Sequence, residues 1–99
     1  MVRHVVAFRF KEGVTPEDRE SIAEGLRSLP GQIAEIRRYV FGPDLGLAEG
    51  NFDYVVVGDF DDEAAYQRYA AHDAHQALIR DSIRPVLAER VAVQYEIEG

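Results

Sequence analysis

The sequence contains no cysteine among its 99 residues. This absence excludes disulfide bonds, thiolate metal sites and cysteine nucleophiles. No uninterrupted apolar run approaches the roughly 18 to 20 residues that a membrane-spanning helix needs. The first residues, Met-Val-Arg-His-Val-Val-Ala-Phe, also lack the long apolar core and the small-residue cleavage site of a signal peptide. We therefore expect a cytoplasmic protein.

Basic residues are scarce. Eleven Lys and Arg residues stand against 18 Asp and Glu, which gives a net charge of −7, and Arg37-Arg38 is the only adjacent basic pair. Nucleic-acid binding and attachment to anionic membranes both require clustered positive charge, so neither partner is expected. The apolar fraction of 46% is that of a globular chain. At this length, residues 1–99 are expected to form one domain.

Apolar residues alternate with polar ones in several segments, which is typical of half-buried strands. On this basis the sequence predicts four strands, at residues 2–10, 36–41, 52–60 and 91–97. In the first strand, the alternation places His4 on the same face as Val6, Phe8 and Phe10. Residues 42–50 are rich in turn formers and are predicted to be a loop.

Three helices are predicted between the strands. The first begins at Thr15 as N-cap with Pro16 at the first helical position, and it is expected to end at Pro30-Gly31. The acids Asp61-Asp62-Glu63 favour the start of a short second helix, because negative charge is favourable at a helix N-terminus. The third is expected to run from near Asp73 toward Leu87, with a kink or a break at Pro85.

The element order β-α-β-β-α-α-β predicts an α+β fold, with a four-stranded, mostly antiparallel sheet and the helices on one face. The opposite face would then present many apolar side chains to solvent, and exposed patches of this kind usually mark an interface. We therefore expect a homodimer in which two sheets pack face to face into a barrel. The residues predicted on that face are Val5, Ala7, Tyr39, Phe41, Val55, Val57, Val93 and Tyr95.

The three histidines are the best candidates for proton transfer, since their unperturbed pKa lies near neutrality. Tyr69, His72 and His75 follow one another at intervals of three residues, which places neighbours close together on a helix. One hypothesis makes His75 a general base and Tyr69 a hydrogen-bond donor to a developing enolate. His72 is interpreted as a solvated turn residue. A metal held by the two helix histidines would need a third ligand that the sequence does not identify, so neither a metal nor another cofactor is predicted.

Five segments together resemble the stress-responsive dimeric α/β-barrel (A/B barrel) domain family. They are His4-Val-Val-Ala-Phe8-Arg-Phe-Lys11, Leu29-Pro-Gly-Gln-Ile33, Gly42-Pro-Asp44, Phe52-Asp-Tyr-Val-Val-Val57 leading to Phe60, and Tyr69-Ala-Ala-His72-Asp-Ala-His75. The resemblance covers essentially the whole chain, and it implies a ferredoxin-like dimeric barrel.

The family includes a plant cyclase that makes olivetolic acid by an aldol condensation without a cofactor. The resemblance to that enzyme implies that His75 and Tyr69 match its catalytic pair. Gln94 stands where the enzyme has the acid that orients its catalytic histidine, and Tyr54 stands where it has a strand histidine. The ligand pocket that the resemblance implies is lined by His4, Tyr54, Gln94, Ile22, Leu26 and Val56.

Three functions stay open at this stage. The chain is expected to be a small-molecule-binding barrel for an apolar or aromatic ligand. Alternatively, it is a cofactor-free cyclase, isomerase or monooxygenase that uses the His75 and Tyr69 pair, or a stress-associated structural protein without a small ligand. A pocket of about 300 Å³ or more with converging polar groups would favour the first two, and a closed, leucine-filled space would favour the third.

Overall fold

A four-stranded antiparallel sheet carries the helices on one face, in a computed structural model that describes residues 1–99. In chain order the elements are β1 (Val2–Phe10), α1 (Pro16–Gln32), β2 (Arg38–Pro43), β3 (Tyr54–Phe60), α2 (Glu63–Ala71), α3 (Asp73–Leu78) and β4 (Leu87–Glu96). The strands lie in the order β2-β3-β1-β4. The α+β class and the sheet predicted from the sequence are confirmed. None of the helices combines the length and apolar character needed to cross a membrane.

The predicted start of α1 is confirmed, but the helix continues beyond Pro30-Gly31 to Gln32. At its start, the Thr15 hydroxyl accepts a hydrogen bond from the backbone N–H of Asp18, and the Asp18 carboxylate accepts one from the N–H of Thr15. The proline is tolerated because the last turn is anchored on both sides of it, by Leu29 and Ile33, each 1% exposed. The N–H of Ile33 donates to the Leu29 carbonyl at 2.9 Å.

The third predicted helix is much shorter than expected. It ends at Leu78 and passes into a wide π-helical turn, Ile79–Ile83, and then a 3-10 turn, Arg84–Val86, that contains Pro85. The expected break near the proline is therefore present, since a proline lacks the N–H that a continuing helix would use. The chain then enters β4 at Leu87, four residues before the predicted start at Val91.

Strand β2 is displaced from its predicted range of 36–41, and its faces are the reverse of those predicted. Tyr39 and Phe41 pack against the core beneath the helices, whereas Val40, at 42% exposed, lies on the open face. The reason lies in the register with β3, which pairs Tyr39 with Gly58. A Cβ atom on Gly58 would stand 3.1 Å from the Tyr39 ring, so the glycine leaves the space that this ring occupies. Strand β3 itself begins at Tyr54, two residues later than predicted.

The core lies between the helices and the sheet face that carries Val6, Phe8, Val56 and Phe60. The opposite face is open in the single chain, and large apolar side chains remain exposed on it: Val40, Val55, Val91, Val93 and Tyr95. Two ion pairs cross this face. Arg3 Nε and Nη2 donate to the two carboxylate oxygens of Asp59 at 2.7 and 2.9 Å, and Arg9 Nε donates to Glu89 Oε1 at 3.3 Å.

Candidate functional site

A cavity of about 340 Å³ lies between the helix-covered sheet face, the helices α2 and α3, and the turn that leads into β4. Eleven of its sixteen lining residues are hydrophobic. Aliphatic side chains form much of the wall: Val6, Leu26, Val56, Leu78, Ile79 and Ile83. The five lining residues that are not hydrophobic are His4, His75, Gln76, Arg84 and Arg90, so no carboxylate faces the cavity.

His75 is held in one tautomer by the end of the preceding helix. Its Nδ1 lies 3.0 Å from the carbonyl oxygen of Ala70. Because a carbonyl only accepts, Nδ1 carries the proton and Nε2 keeps its lone pair. The pKa of His75 is lowered from its usual value, chiefly by burial and further by the positive charge of Arg90. The imidazole is therefore neutral near pH 7, as a general base must be.

Beside His75 the site contains a pair of tyrosine hydroxyls in mutual contact. The hydroxyl oxygens of Tyr69 and Tyr39 are 2.6 Å apart, and the Tyr69 ring lies 4.3 Å from the His75 ring, centroid to centroid. Burial raises the pKa of Tyr39 to about 12, and it raises the pKa of Tyr69 as well. Both hydroxyls therefore stay protonated and act as hydrogen-bond donors, not as bases.

Tyr69 and His75 belong to different helices. The chain leaves helical geometry at His72, where φ is −65° and ψ is 138°. The third helix therefore begins at Asp73, as predicted, and the three-residue spacing from Tyr69 to His75 does not run along a single helix. His72 ends α2 and caps α3, since its Nδ1 accepts a hydrogen bond from the N–H of Ala74 at 3.0 Å. It is half-buried and has this structural role, so it is not merely a solvated turn residue.

His4 lies on the opposite wall, at 4% exposed, and Gln94 is its partner. The Gln94 Nε2 amide donates to His4 Nδ1 at 2.8 Å. The register explains this contact, since β1 and β4 pair His4 with Gln94 directly. Gln94 thus stands beside His4 and not beside His75, for which the resemblance implied an orienting partner at this position.

The family model described as Stress responsive A/B Barrel Domain matches residues 2–97. The chain belongs to this family. An uncharacterized protein of Streptomyces coelicolor is 33% identical over 79 residues, which are 78% of this chain and 81% of that protein. A stress-response A/B barrel domain-containing protein of Arabidopsis thaliana is 29% identical over 76 residues, or 75% of this chain and 70% of that protein.

Among solved structures, a dimeric ferredoxin-like protein of unknown function from Thermobifida fusca is similar to this A/B barrel chain, with a TM-score of 0.90 and 44% identity. The match covers 97% of this chain and 90% of that one. The ferredoxin-like character expected from the sequence is thereby confirmed.

Five of the eight site residues predicted for this A/B barrel protein line this cavity: His4, Leu26, Val56, Tyr69 and His75. The structure places the other three outside it. Ile22 is fully buried in the core, and Tyr54 packs on Phe10 with the ring centroids 6.2 Å apart. Gln94 reaches the site only through His4.

Sequence reasoning missed Tyr39, Tyr66, Arg84 and Arg90, which all line the cavity. A signal for Tyr39 was present in Gly58, because a glycine in the middle of a strand often marks the close approach of another group. No comparable signal existed for the arginines. Their position depends on the turn after α3 and on the early start of β4.

Because His4 is buried, we expect the free energy of unfolding to fall in acid. Burial, helped by the charges of Arg90 and His75, lowers the pKa of His4 from 6.5 to about 4. Between these values the unfolded chain binds a proton that the folded chain excludes, so the free energy of unfolding falls as the pH drops. His4 accounts for at most about 3 kcal/mol of this fall in the free energy of unfolding.

This contribution is measured by urea unfolding at pH 7 and pH 4, at one protein concentration, for the wild type and His4→Gln. Between these two pH values the wild type is expected to lose about 3 kcal/mol more than the variant. An equal loss in both proteins would show that His4 does not carry this pH dependence.

Proposed function

We propose that this A/B barrel chain forms a homodimer that binds a compact, largely apolar molecule in one cavity per subunit. The observation that carries the proposal is the cavity of about 340 Å³, in which His4, Tyr39, Tyr69 and His75 face an aliphatic wall. Ligand pockets typically begin near about 300 Å³ and combine apolar walls with a few polar groups that orient the ligand. A cysteine-free chain with a net charge of −7 suits the cytoplasm.

The homodimer rests on the open face of the sheet. Val91 and Val93 are 50% and 56% exposed there, beside Tyr95 at 46%. Contiguous apolar surface of this kind is rare on soluble monomers. The similar protein of Thermobifida fusca is described as dimeric, which supports the same assembly for this chain. Packing two such faces together would remove these side chains from water and leave the helices, with the cavities beneath them, on the outside.

Ligand binding is tested with 2-naphthamide, a neutral aromatic probe, by isothermal titration calorimetry. Wild type is expected to bind it saturably, with one site per subunit. Ile79→Trp fills the cavity and is expected to weaken binding at least about tenfold, a change of about 1.4 kcal/mol. Ile36→Trp is the matched control, because Ile36 is a half-buried isoleucine at the margin of the core that does not line the cavity.

Melting temperatures close to that of wild type would show that both variants fold. A wild type that binds no probe, or an Ile79→Trp variant that binds as well as wild type, would refute ligand binding in this cavity.

A second candidate function is cofactor-free proton transfer, and the geometry of His75 favours it. The bond from Nδ1 to the Ala70 carbonyl leaves the Nε2 lone pair as the basic atom of a neutral imidazole beside the cavity. A C–H group next to a ligand carbonyl would lose its proton to Nε2. In the tyrosine pair, Tyr39 can donate to Tyr69, which frees the Tyr69 O–H to donate to the enolate oxygen that forms.

A further inference from the structure

The lining of the cavity carries positive charge, although the protein as a whole has a net charge of −7. Most arginines of the chain already have a partner: Arg3, Arg9, Arg27, Arg37, Arg68 and Arg80 form ion pairs, and Arg19 stacks over the Phe10 ring. Only Arg38, Arg84 and Arg90 have neither kind of contact. Two of these three line the cavity.

The two arginines reach the cavity from adjoining segments. Arg84 opens the 3-10 turn after the π-helical turn, and Arg90 follows on β4. Arg90 pairs with Phe8 in the sheet register and so shares the helix-covered face with His4. Its charge contributes to lowering the pKa of both His4 and His75, which places the guanidinium within electrostatic range of both imidazoles.

Nothing in the cavity lining balances this charge, since the two histidines are neutral near pH 7 and no Asp or Glu is present. A guanidinium presents paired N–H donors that match the two oxygens of a carboxylate. We propose that the ligand is a compact apolar or aromatic carboxylate, whose anionic group is bound by Arg90 and Arg84 while its body occupies the aliphatic cavity. This assignment rests on the proposed ligand-binding function and specifies its ligand class.

The proposed site divides the ligand between two environments. The carboxylate stays at the exposed guanidinium groups, where it keeps part of its hydration, and the hydrocarbon body displaces water from the apolar wall. An uncharged ligand of the same shape would gain only the second contribution. The difference between the two therefore isolates what the arginines contribute.

The test compares 2-naphthoate with its neutral isostere 2-naphthamide by isothermal titration calorimetry at pH 7. Wild type is expected to bind the carboxylate at least about tenfold more tightly than the amide. Arg90→Gln is expected to remove most of that preference and to leave amide binding within about twofold of wild type. Arg84→Gln is expected to act in the same direction, and Arg90→Lys to keep part of the preference because it keeps the charge.

Arg27→Gln is the control for net charge, because it removes one positive charge from α1, outside the cavity lining. It is expected to leave the preference intact. Equal affinities for the two probes in wild type, with binding still blocked by Ile79→Trp, would overturn the carboxylate assignment and leave ligand binding standing. An Arg27→Gln effect as large as that of Arg90→Gln would also overturn it. Failure of both probes to bind wild type would refute the proposed function together with the assignment.

Discussion

Val93→Asp is expected to convert the proposed dimer into monomers at micromolar concentration. Val93 is 56% exposed in the single chain, so an aspartate there remains hydrated and costs the isolated subunit little. In the dimer the same carboxylate would be buried without a partner, and two-fold symmetry would introduce two of them. The cost of at least about 3 kcal/mol corresponds to a dimer dissociation constant about 100-fold higher or more. Sedimentation velocity over a concentration series measures this change.

The control for this experiment is Ala64→Asp, which adds the same charge at an exposed position in the first turn of α2. An acid is favourable at a helix start, so this variant is expected to fold and to remain dimeric. A Val93→Asp variant that sediments like wild type would show that the open sheet face is not the interface. A wild type that is monomeric at micromolar concentration would refute the dimer itself.

His75→Ala is expected to slow, by about 100-fold, the exchange of the hydrogens next to the carbonyl of 2-tetralone in heavy water. The ketone is a probe for proton abstraction, with a bicyclic body that suits the cavity. The expected loss follows from removing Nε2, the basic atom that the Ala70 carbonyl leaves free. Exchange is followed by proton NMR after subtraction of the rate in buffer.

His72→Asn is the matched control, because it removes a neighbouring histidine yet keeps a side chain that can cap α3. It is expected to exchange at the wild-type rate. Tyr69→Phe is expected to have a smaller effect than His75→Ala, since the Tyr39 hydroxyl, 2.6 Å from that of Tyr69, remains in the cavity as a donor. Wild-type protein that adds nothing to the buffer rate would contradict the enzymatic candidate, as would full activity in His75→Ala.

The sequence pattern predicted correctly the strands and helix ends that are determined by their own residues. Strand β1 has the predicted bounds, Val2–Phe10, because its alternation extends over nine residues. The start of α1 was also predictable, since Thr15 and Pro16 define an N-cap through their own chemistry. Strand β2 was assigned to the wrong face because both of its faces carry apolar residues. Only the register that pairs Tyr39 with Gly58 decides between them, and that register is a long-range property.

The residues of the candidate site also fall into those that the sequence predicted and those that depend on long-range contacts. Tyr69 and His75 were predicted to belong to one site because they are close in sequence, and their rings are in contact in the structure. The partner of Gln94 could not be inferred, since it depends on how β4 aligns with β1 across 90 residues of sequence. The arginines of the cavity were missed because the hydrophobic pattern carries no signal for the wide turn at Ile79–Ile83, which precedes Arg84 and the early start of β4.

His72 joins α2 to α3 and thereby sets the position of His75 relative to Tyr69. Within one helix, the separation of a base and a hydroxyl three or more residues apart is fixed by the helical repeat. Here Tyr69 and His75 lie on either side of a single non-helical residue, so their separation depends on the two torsion angles of His72. Hydrogen bonds across the junction fix that geometry, since His75 Nδ1 lies 3.0 Å from the Ala70 carbonyl oxygen and the Gln76 side-chain amide donates to the same oxygen at 2.6 Å. The distance between the two groups is thus set by one backbone junction and by the contacts of one carbonyl, and a substitution at His72 or Ala70 would change it without altering either side chain.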